Sequence, residues 1–271
     1  MAGNERLDAR VVALGFATGR DKAKELIRSG AVNVNGKTVD KPSYTVTDTD
    51  DVSCTAERSP YVGRGGFKLE AALGALLPLP SPCTALDVGA STGGFTHCML
   101  LNGATTVYAV DVGHGQLHPT LAADPRVVNL EGTDIRAVAD AIAPYSVDLV
   151  AMDVSFVSVK VLLPAVLPYL RDGARLLILI KPQFETGRAA VGKNGIVRDR
   201  ATHVRVLREL CDCFAQCSLS LQALAASPIT GGAGRADGNI EYIATLSNNA
   251  APAVLPDLRQ LVDGAFTYHK H

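Results

Sequence analysis

The sequence has almost no net charge and no long hydrophobic run. Its 26 lysine and arginine residues face 27 acidic residues, which gives a formal net charge of −1 over 271 residues. This balance gives no global sign of a polyanionic partner, so a nucleic-acid surface requires local segregation of Lys and Arg. The apolar stretch 161–170 is broken by prolines, and the run 176–180 has only the length of a strand. With no basic and apolar leader, the sequence predicts a cytoplasmic protein without a membrane partner.

The six cysteines form no CxxC pair and no regular framework. We expect most of them to be buried thiols. Cys211, Cys213 and Cys217 lie near His203 in the sequence, a combination of residue types that can bind a metal. They fall within one helical pattern, however, in which positions 213 and 217 share a face and 211 does not. The spacing therefore predicts no metal site.

Two regions of different character divide the chain, whose 47% hydrophobic content suits one large core and a small companion domain. The first region contains two short amphipathic helical patterns, 7–14 and 20–29, and then a hairpin signal at Asn35-Gly36. This order predicts a small α+β domain. A polar, proline-containing linker follows it. The predicted boundaries are 1–53 for the small domain, 54–62 for the linker and 63–271 for the main domain.

Basic residues are segregated within the small domain. Residues 20–41 hold six of them against three acids, whereas Asp48, Asp50 and Asp51 cluster at the far end. A solvated helix face is the ordinary explanation for such a run of charge. Charge alone therefore does not establish a binding surface here.

A longer motif runs through the same residues. It consists of Arg6-Leu7-Asp8, Gly15, Gly19-Arg20, Ala23, Leu26-Ile27, Gly30, Val32, Val34-Asn35-Gly36 and Lys41-Pro42. This pattern resembles the small RNA-binding domain first described in ribosomal protein four of the small subunit. The resemblance implies contacts to the backbone of structured RNA, with salt-dependent affinity and little base reading. The residues predicted to contact RNA are Arg6, Arg20, Lys22, Lys24, Arg28, Lys37, Lys41 and Arg64.

The main domain alternates strand-like runs with helical patterns. The strand-like runs lie at 84–88, 106–110, 127–130, 147–152, 174–180, 219–226 and 240–246. Alternation of this kind implies βαβ crossovers, and so predicts an α/β fold with a mainly parallel, doubly wound sheet. In such a sheet the ligand binds beyond the carboxyl ends of the strands. The turn after the first strand is therefore the first candidate site.

That turn lacks the spacing of a phosphate-binding loop. It reads DVGASTGG, so Ser91 stands where G-x-G-x-x-G requires a glycine, and no G-K-[ST] follows. A glycine cluster can be no more than a tight strand-to-helix turn. Asp87 stands beside the turn, however, and Asp111 ends the second strand, where a carboxylate can accept both ribose hydroxyls of an adenosine. Acids at both points favour S-adenosylmethionine, whose sulfonium and amino groups are cationic. The residues predicted to bind it are Asp87, Gly89, Ser91, Gly93, Gly94, Phe95 and Asp111.

Charged residues also follow the apolar strands of the main domain. Asp153 and Lys181 come directly after the fourth and fifth strands, at their carboxyl ends. One charged residue at a strand end only marks where solvent begins, but two of opposite sign on adjacent strands favour a functional site. Methyl transfer to a hydroxyl needs alignment and removal of a proton. We predict Lys181 as the base or direct activator of the hydroxyl, with Asp153 orienting it and Lys68 and Glu241 completing the set.

Further motifs extend through the main domain. They are VGRGGFKLEAAL (62–73), LDVGASTGGFTHCMLLNGA (86–104), VDVGHGQL (110–117), VDLVAMDVSFVS (147–158), IKPQFE (180–185) and GNIEY (238–242). Together they resemble the TlyA family of hemolysin-A-like ribosomal RNA methyltransferases, whose catalytic domain is similar to the FtsJ ribose methyltransferases. The resemblance implies a Rossmann-like sheet, 2'-O-methylation of cytidine with S-adenosylmethionine, and ribosomal RNA or a ribosomal subunit, not DNA, as partner. It also implies a Lys-Asp-Lys-Glu tetrad, which falls on Lys68, Asp153, Lys181 and Glu241.

Several positions depart from the family pattern. His114 stands where relatives usually have Tyr, and His118-Pro119 replaces an Ala-Trp pair. Residues 132–134 read Gly-Thr-Asp where relatives often have Arg-Thr-Asn. Asp134 remains a predicted cofactor-binding residue, because its carboxylate can accept from the adenine amino group. The loop 229–239 is longer than usual and is expected to move over the site.

Three other functions agree with parts of the sequence. The RNA-binding module occurs in many proteins, so an RNA-binding protein with a non-catalytic methyltransferase fold is one alternative. A membrane-active hemolysin would need a spanning or strongly amphipathic segment, which is not visible. A nicotinamide dehydrogenase shares the fold class but would bind NAD. The complete tetrad favours the methyltransferase.

Overall fold

The computed structural model of the protein contains two compact units, Met1–Pro60 and Tyr61–His271. It describes residues 4–17, 19–28, 30–55, 60–63, 65–74, 79–187, 190–192, 194–231 and 238–269. The predicted RNA contact Arg64 lies outside the described residues, and so does the segment 232–237 of the loop predicted to cover the site.

The first unit is a small α+β fold. Its elements are β1 (Glu5–Arg6), α1 (Leu7–Ala13), α2 (Arg20–Arg28), β2 (Val32–Val34), β3 (Lys37–Thr38), β4 (Thr45–Val46) and β5 (Val52–Cys54). Strands β3, β2 and β5 form an antiparallel sheet, and β1 pairs with β4. Asn35 and Gly36 join β2 to β3 with φ of 51° and 76°, the conformation that favours Asn-Gly in a hairpin. The predicted helices and hairpin are therefore confirmed.

An apolar core of its own holds the first unit together. Leu7 and Val11 on α1 and Ala23 and Ile27 on α2 are fully buried. Their spacing of four residues places each pair on one face of its helix. The basic side chains of α2 project from the remaining, solvated face, which is why this short helix carries so much charge.

The second unit is a doubly wound α/β sheet. Its helices are α3 (Gly65–Leu73), α4 (Gly94–Leu101), α5 (Pro119–Ala122), α6 (Val159–Val166), α7 (Pro182–Glu185), α8 (Arg200–Gln216) and α9 (Leu258–Tyr268). Its strands are β6 (Thr84–Val88), β7 (Thr106–Asp111), β8 (Val127–Glu131), β9 (Val147–Met152), β10 (Leu170–Ile180), β11 (Ser220–Ala226) and β12 (Tyr242–Ser247). The strand order is β11-β12-β10-β9-β6-β7-β8, with β12 antiparallel to both neighbours and the other pairs parallel. The predicted, mainly parallel Rossmann-like sheet is confirmed.

Apolar side chains cover both faces of this sheet. Along β6, Leu86 and Val88 join one core, whereas Ala85 joins the other. Along β9, Val150 and Leu149 are divided in the same way. Successive side chains of a strand point to opposite faces, so a strand covered by helices on both sides is apolar at nearly every position. This explains why the runs in the sequence are continuous and do not alternate with polar residues.

The strand order reverses between β9 and β6. The carboxyl ends of the parallel strands meet at one edge beside this reversal, which is where ligands bind in open α/β sheets. Asp111 ends β7, Asp153 follows β9 and Lys181 follows β10. The fold thus brings three predicted site residues to the same edge.

Candidate active site

A cavity of about 510 Å³ opens at the carboxyl edge of the sheet. It lies among the turn after β6, the end of β7, the 3-10 helix Ile135–Ala137 and the segment after β9. The predicted residues that line it are Gly89, Ser91, Asp111, Asp134 and Asp153. Val110 and Leu162 contribute apolar surface. The cavity therefore suits a ligand with both apolar and positively charged parts.

The turn after β6 is tight enough to require glycine. Gly89 has a φ of 86°, and a Cβ there would lie 2.7 Å from the backbone oxygen of Asp153. Gly93 has a φ of 90°, and a Cβ there would overlap the side chain of Leu121. Ser91, between them, also adopts a left-handed conformation, with a φ of 47°. Gly89 thus allows the backbone after β6 to approach the segment after β9 closely, and Gly93 leaves room for Leu121.

Asp87 lies beneath this turn, outside the lining of the cavity. The period of two along β6 turns its side chain toward α4, where it is fully buried and its Oδ2 accepts a hydrogen bond from Thr96 Oγ1 at 2.6 Å. Burial, assisted by the charges of Asp153 and Asp111, raises the pKa of Asp87 to about 7. Its Oδ1 accepts no hydrogen bond from the described residues. With no exposed surface, Asp87 forms no part of the cavity lining and holds the start of α4, and its contact to the donor stays a prediction.

Three other residues of the motif also lie outside the cavity lining. Gly93 forms the turn, and a Cβ on Gly94 would lie 3.0 Å from the backbone nitrogen of Gly66 on α3. Phe95 is 6% exposed and packs in the core that α3 and α4 share. These residues shape the turn and the α3–α4 contact, so in this structure they support the cavity and do not form its surface.

The buried carboxyl of Asp87 gives a prediction for stability against pH. Its folded-state pKa of about 7 lies above the value of about 3.9 for an unfolded chain, so the folded state keeps a proton that the unfolded state loses. Stability is expected to fall as the pH rises from about 4 to about 7, by up to about 4 kcal/mol. In the Asp87→Asn variant, the melting temperature is expected to change less with pH over this interval. At about pH 8 the variant should melt at a higher temperature than the wild type.

Asp124→Asn provides the matched control for this measurement. Arg126 holds the pKa of the partly buried Asp124 at about 2, so Asp124 stays ionised throughout the interval. Its variant should keep the wild-type slope. A melting profile of Asp87→Asn that runs parallel to wild type would show that Asp87 does not titrate there.

Asp111 holds its carboxylate at the mouth of the cavity. Its Oδ2 accepts a hydrogen bond from the backbone nitrogen of Ser91 at 2.8 Å, and its Oδ1 accepts from that of Gly113 at 2.7 Å. Each oxygen keeps a further lone pair. The carboxylate is therefore oriented by the backbone and still able to accept two hydroxyl groups.

Asp134 is held by its neighbour Arg136. Its carboxylate accepts from the backbone nitrogen of Arg136 and pairs with the guanidinium at 2.8 and 2.6 Å, which together lower the pKa of Asp134 to about 2. Arg136 itself lines the cavity. Arg136 was not predicted from the sequence, because an arginine two positions after an acid forms no recognisable motif.

Two departures from the family pattern pack against each other. Gly132 has a φ of 69°, and a Cβ there would overlap the imidazole of His114. A larger residue at position 132 would therefore require His114 to move. The residues found at these two positions fit one another, although they differ from those of the family.

The tetrad predicted for catalysis forms two ion pairs, and the first is buried. Lys68 on α3 donates from Nζ to Glu241 Oε2 at 2.6 Å, and Glu241 immediately precedes β12. The two side chains are 11% and 2% exposed. Burial raises the pKa of Glu241, and the neighbouring Lys68 opposes that rise.

The second pair joins Lys181 to Asp153. Lys181 Nζ lies 2.6 Å from Asp153 Oδ1 and donates a hydrogen bond to Ser155 Oγ at 2.8 Å. Asp153 Oδ1 accepts no well-aligned hydrogen bond, so its contact with Lys181 is an ion pair. The charges of Lys181 and Asp153 also shift the pKa of Glu241. The structure thus brings all four predicted residues into one electrostatic cluster.

Two aromatic rings stand beside this cluster. Phe156 has a φ of 65° and is 90% exposed, and its ring centre lies 5.0 Å from that of Phe184. Lys181 Nζ lies 5.9 Å from the centre of the Phe184 ring. An exposed ring in a strained backbone conformation offers a stacking surface to a planar group. Hydrophobic periodicity gives no sign of this exposure, so the sequence analysis missed Phe156.

A buried carboxylate fastens the segment that carries Phe156. Glu185, at the end of α7, accepts from Ser158 Oγ at 2.6 Å and from the backbone nitrogen of Val159 at 2.7 Å. It thereby ties the helix after Lys181 to the first turn of α6. Burial raises the pKa of Glu185. This link was not predictable from the sequence either, because it depends on how two loops are aligned.

Substitution of Glu185 is expected to act on turnover through this link. Glu185→Leu leaves the Val159 nitrogen without an acceptor, at a cost of about 1–3 kcal/mol, and releases the segment that carries Ser155. We expect kcat to fall by about ten-fold and donor affinity to fall as well, because the released segment lines the cavity. Glu185→Gln keeps an acceptor at that position and should retain most activity. Equal activity of the Leu and Gln variants, measured with donor binding, would contradict this role.

The basic residues predicted to contact RNA differ in their present partners. Arg6 and Arg20 lie 2.7 and 3.6 Å from the buried carboxylate of Asp8. Lys22 and Lys24 each pair with an acid three residues away on α2. Those without an ion pair to any other described residue are Arg28, Lys37 and Lys41. Arg6 and Arg20 therefore also stabilise the unit, whereas Arg28, Lys37 and Lys41 are available for an external anion.

The cysteines are all free thiols, but fewer are buried than predicted. Cys83 and Cys98 are buried, and the other four are partly exposed. His203 uses both ring nitrogens for hydrogen bonds, to Tyr242 Oη at 2.9 Å and to the backbone oxygen of Val197 at 3.0 Å. Across the described ranges, no three His, Cys, Asp or Glu side chains are grouped to hold a metal ion. No helix in that same part of the chain is both long and apolar enough to cross a membrane.

Comparison with known proteins finds relatives over nearly the whole chain. YqxC of Bacillus subtilis, a proposed rRNA methyltransferase, is 42% identical over 242 residues, which cover 88% of this chain and 84% of that protein. The 16S/23S rRNA (cytidine-2'-O)-methyltransferase TlyA of Mycobacterium tuberculosis is 39% identical, with 89% of each chain covered. A solved structure of a proposed hemolysin from Streptococcus thermophilus is 37% identical and matches with a TM-score of 0.76, over 98% of this chain and 97% of that chain.

Two families match the two units. Residues 5–52 match the S4 domain, which agrees with the predicted RNA-binding pattern. Residues 61–247 match the FtsJ-like methyltransferases, and this range contains the whole sheet and the cavity at its edge. The methyl donor of such a fold is S-adenosylmethionine, as predicted from the glycine turn and its acids. The chain therefore belongs to the FtsJ-like methyltransferase family and carries an S4 domain in front of the methyltransferase domain.

Proposed function

We propose that this protein transfers a methyl group from S-adenosylmethionine to the 2'-hydroxyl of a cytidine in ribosomal RNA. The observation that carries the proposal is the cluster of Lys68, Asp153, Lys181 and Glu241 beside the cavity of a methyltransferase sheet. The choice of cytidine and of ribosomal RNA rests on the names of relatives such as TlyA of Mycobacterium tuberculosis. Hemolysin A of Brachyspira hyodysenteriae is also a relative, but the family that matches most of the chain is a methyltransferase family.

The electrostatics of the cavity fit a cationic donor. The lining holds three acids, Asp111, Asp134 and Asp153, and one base, Arg136, so it carries an excess of negative charge. A negative region attracts a cation and repels a pyrophosphate. Bound there, S-adenosylmethionine supplies a methyl group activated by a positive sulfur. Asp111 would hold its ribose hydroxyls and Asp134 its adenine amino group, with Arg136 sharing the latter carboxylate.

Lys181 is the residue best placed to act on the attacking hydroxyl. A lysine nitrogen has three directions for hydrogen bonds, of which one faces Asp153 and one faces Ser155. As the 2'-oxygen bonds to the methyl carbon, the bond between that carbon and the donor's sulfur would break, the donor would leave as an uncharged thioether, and the hydroxyl proton would pass to the lysine nitrogen along the third direction. The new ammonium is then paired with Asp153. Lys68 and Glu241 keep a fixed pair of charges beside the reacting oxygen.

We further propose residues 1–53 as the RNA-binding domain and 63–271 as the methyltransferase domain, joined by 54–62. The division of the structure into Met1–Pro60 and Tyr61–His271 supports this assignment. Arg28, Lys37 and Lys41 are the cations of the first unit that we expect to contribute most to phosphate binding, because no ion pair within the described residues competes for them. A ribosomal substrate would place the reaction in the cytoplasm.

Transfer of labelled methyl groups tests the proposal directly. Purified protein is incubated with S-adenosylmethionine labelled in the methyl group and with ribosomal subunits from a strain that lacks the protein. After digestion of the RNA to nucleosides, the label is expected in 2'-O-methylcytidine, and separate reactions on small and large subunits show which one is modified. Label in a base-methylated nucleoside, or no transfer at all, would contradict the proposal.

A further inference from the structure

The segment that follows β10 carries a strong excess of positive charge. Residues 181–208 contain seven lysine and arginine residues and two acids, whereas the whole chain has a net charge of −1. The remaining residues therefore share an excess of six negative charges. The segment begins at Lys181, so the excess starts at the proposed reaction centre. Such segregation is how a neutral protein provides a surface for a polyanion.

The described part of this segment exposes four arginines at the start of α8 and along it. They are Arg198, Arg200, Arg205 and Arg208, here named the α8 arginine surface. Three of them line a cleft of about 460 Å³ between α8 and α9. At a rise of 1.5 Å per residue, Arg200 and Arg208 are separated by about 12 Å along the helix. Arg205 also donates to Thr186 Oγ1 at 2.8 Å, which ties the surface to the segment after Lys181.

The partners of these arginines leave them free to bind an external anion. Arg200 pairs with Asp263, and Arg205 pairs with Glu209 at 2.8 Å, but all four side chains are exposed. Exposed pairs of this kind stabilise a protein by at most about 1 kcal/mol, so phosphate can displace them. The remaining two, Arg198 and Arg208, form no ion pair with any residue in the described ranges.

We infer that the α8 arginine surface binds the phosphate backbone of the RNA that flanks the target nucleotide. The inference rests on the proposed function, because it assumes that a ribose of that RNA reaches Lys181. Guanidinium groups bind phosphate with two parallel hydrogen bonds and stay charged at any physiological pH. Arginines at the start of α8 and along it can follow a strand without reading its bases. The methyltransferase domain would then hold the strand next to the site by itself, in addition to the S4 domain.

The salt dependence of RNA binding tests this surface. The full chain and its Arg198→Gln/Arg208→Gln variant are titrated against a fluorescently labelled ribosomal RNA transcript at a series of KCl concentrations. Each lost phosphate contact should reduce the slope of log affinity against log salt by about 0.7 for a single strand. Between about 50 and 200 mM salt, the affinity of the wild type for RNA should therefore fall by about seven-fold more than that of a variant that has lost two contacts. Affinity for S-adenosylmethionine should not change.

Single variants with equal changes in charge separate a local effect from a general one. Arg198→Gln and Arg208→Gln should each lower the slope, whereas Arg126→Gln should not, because Arg126 precedes β8 at the opposite edge of the sheet. Equal slopes for all variants, or an equal reduction by Arg126→Gln, would overturn the inference. Methyl transfer by the wild type is scored separately: its absence would remove the proposed function, and the slopes would still show whether this surface binds RNA.

Discussion

Replacement of Lys181 by alanine is expected to lower methyl transfer by about 10²- to 10⁴-fold, the range in which a positioned acid or base contributes. The variant loses the only nitrogen that, among the described residues, joins Asp153 to Ser155. Asp111 and the turn after β6 are unchanged, so the donor should still bind. Turnover is measured with labelled donor and ribosomal RNA, and donor binding is measured by calorimetry.

Two further variants sharpen the test of Lys181. Lys181→Arg keeps a positive charge beside Asp153 but cannot accept a proton at neutral pH, so it should be nearly as inactive as the alanine variant. Lys160→Ala removes a lysine from α6 that pairs with the exposed Glu209 at 3.0 Å, and it should keep wild-type turnover. High activity in Lys181→Arg would show that Lys181 supplies only charge. High activity in Lys181→Ala would exclude it from the reaction.

Replacement of Lys68 by methionine is expected to destabilise the second unit by about 3–5 kcal/mol, as is typical when one partner of a buried ion pair is removed. Glu241 is 2% exposed, and the variant would remove the ammonium group of Lys68 that stabilises its buried carboxylate. Because a raised folded-state pKa means that the protonated form favours the folded state, the loss should be full at pH 8. It should shrink as the pH falls toward about 4. Denaturant unfolding of the variant at the two pH values provides the measurement.

The double variant Lys68→Met/Glu241→Leu separates stability from function. It removes both charges together, so most of the lost stability should return. Methyl transfer should stay low, because the pair of charges beside the reacting oxygen is absent. If the double variant were as unstable as Lys68→Met, the loss would come from packing of the Lys68 side chain. If it were fully active, the Lys68–Glu241 pair would serve only the fold.

The fold was readable from the sequence because burial on both sheet faces leaves a simple pattern. Residues 149–152 of β9 and 176–180 of β10 are continuous apolar runs of strand length, and the helices between the strands repeat apolar residues every three or four positions. The same pattern places the residue after each strand at the carboxyl edge. This is why Asp111, Asp153 and Lys181 could be grouped before any distance was known.

The finer parts of the site were not readable, for distinct physical reasons. Asp87 carries the acid expected beside a cationic ligand, but strand periodicity turns it toward α4 and buries it. Phe156 is 90% exposed and has a left-handed backbone, a conformation that composition does not predict for phenylalanine. The links made by Glu185 and by Arg136 depend on how two loops are aligned. Arg6 and Lys41 belong to the same sequence motif, yet Arg6 pairs with Asp8 and Lys41 has no ion pair among the described residues. Only the coordinates reveal this difference.

Mapping of 2'-O-methyl groups in ribosomal RNA tests the central claim most directly. RNA is compared from a strain that makes this protein, a strain that lacks it, and the deletion strain supplied with Lys181→Ala. The account predicts at least one cytidine that is methylated on its ribose in the first strain and unmodified in the other two. Identical methylation maps in all three strains would contradict it.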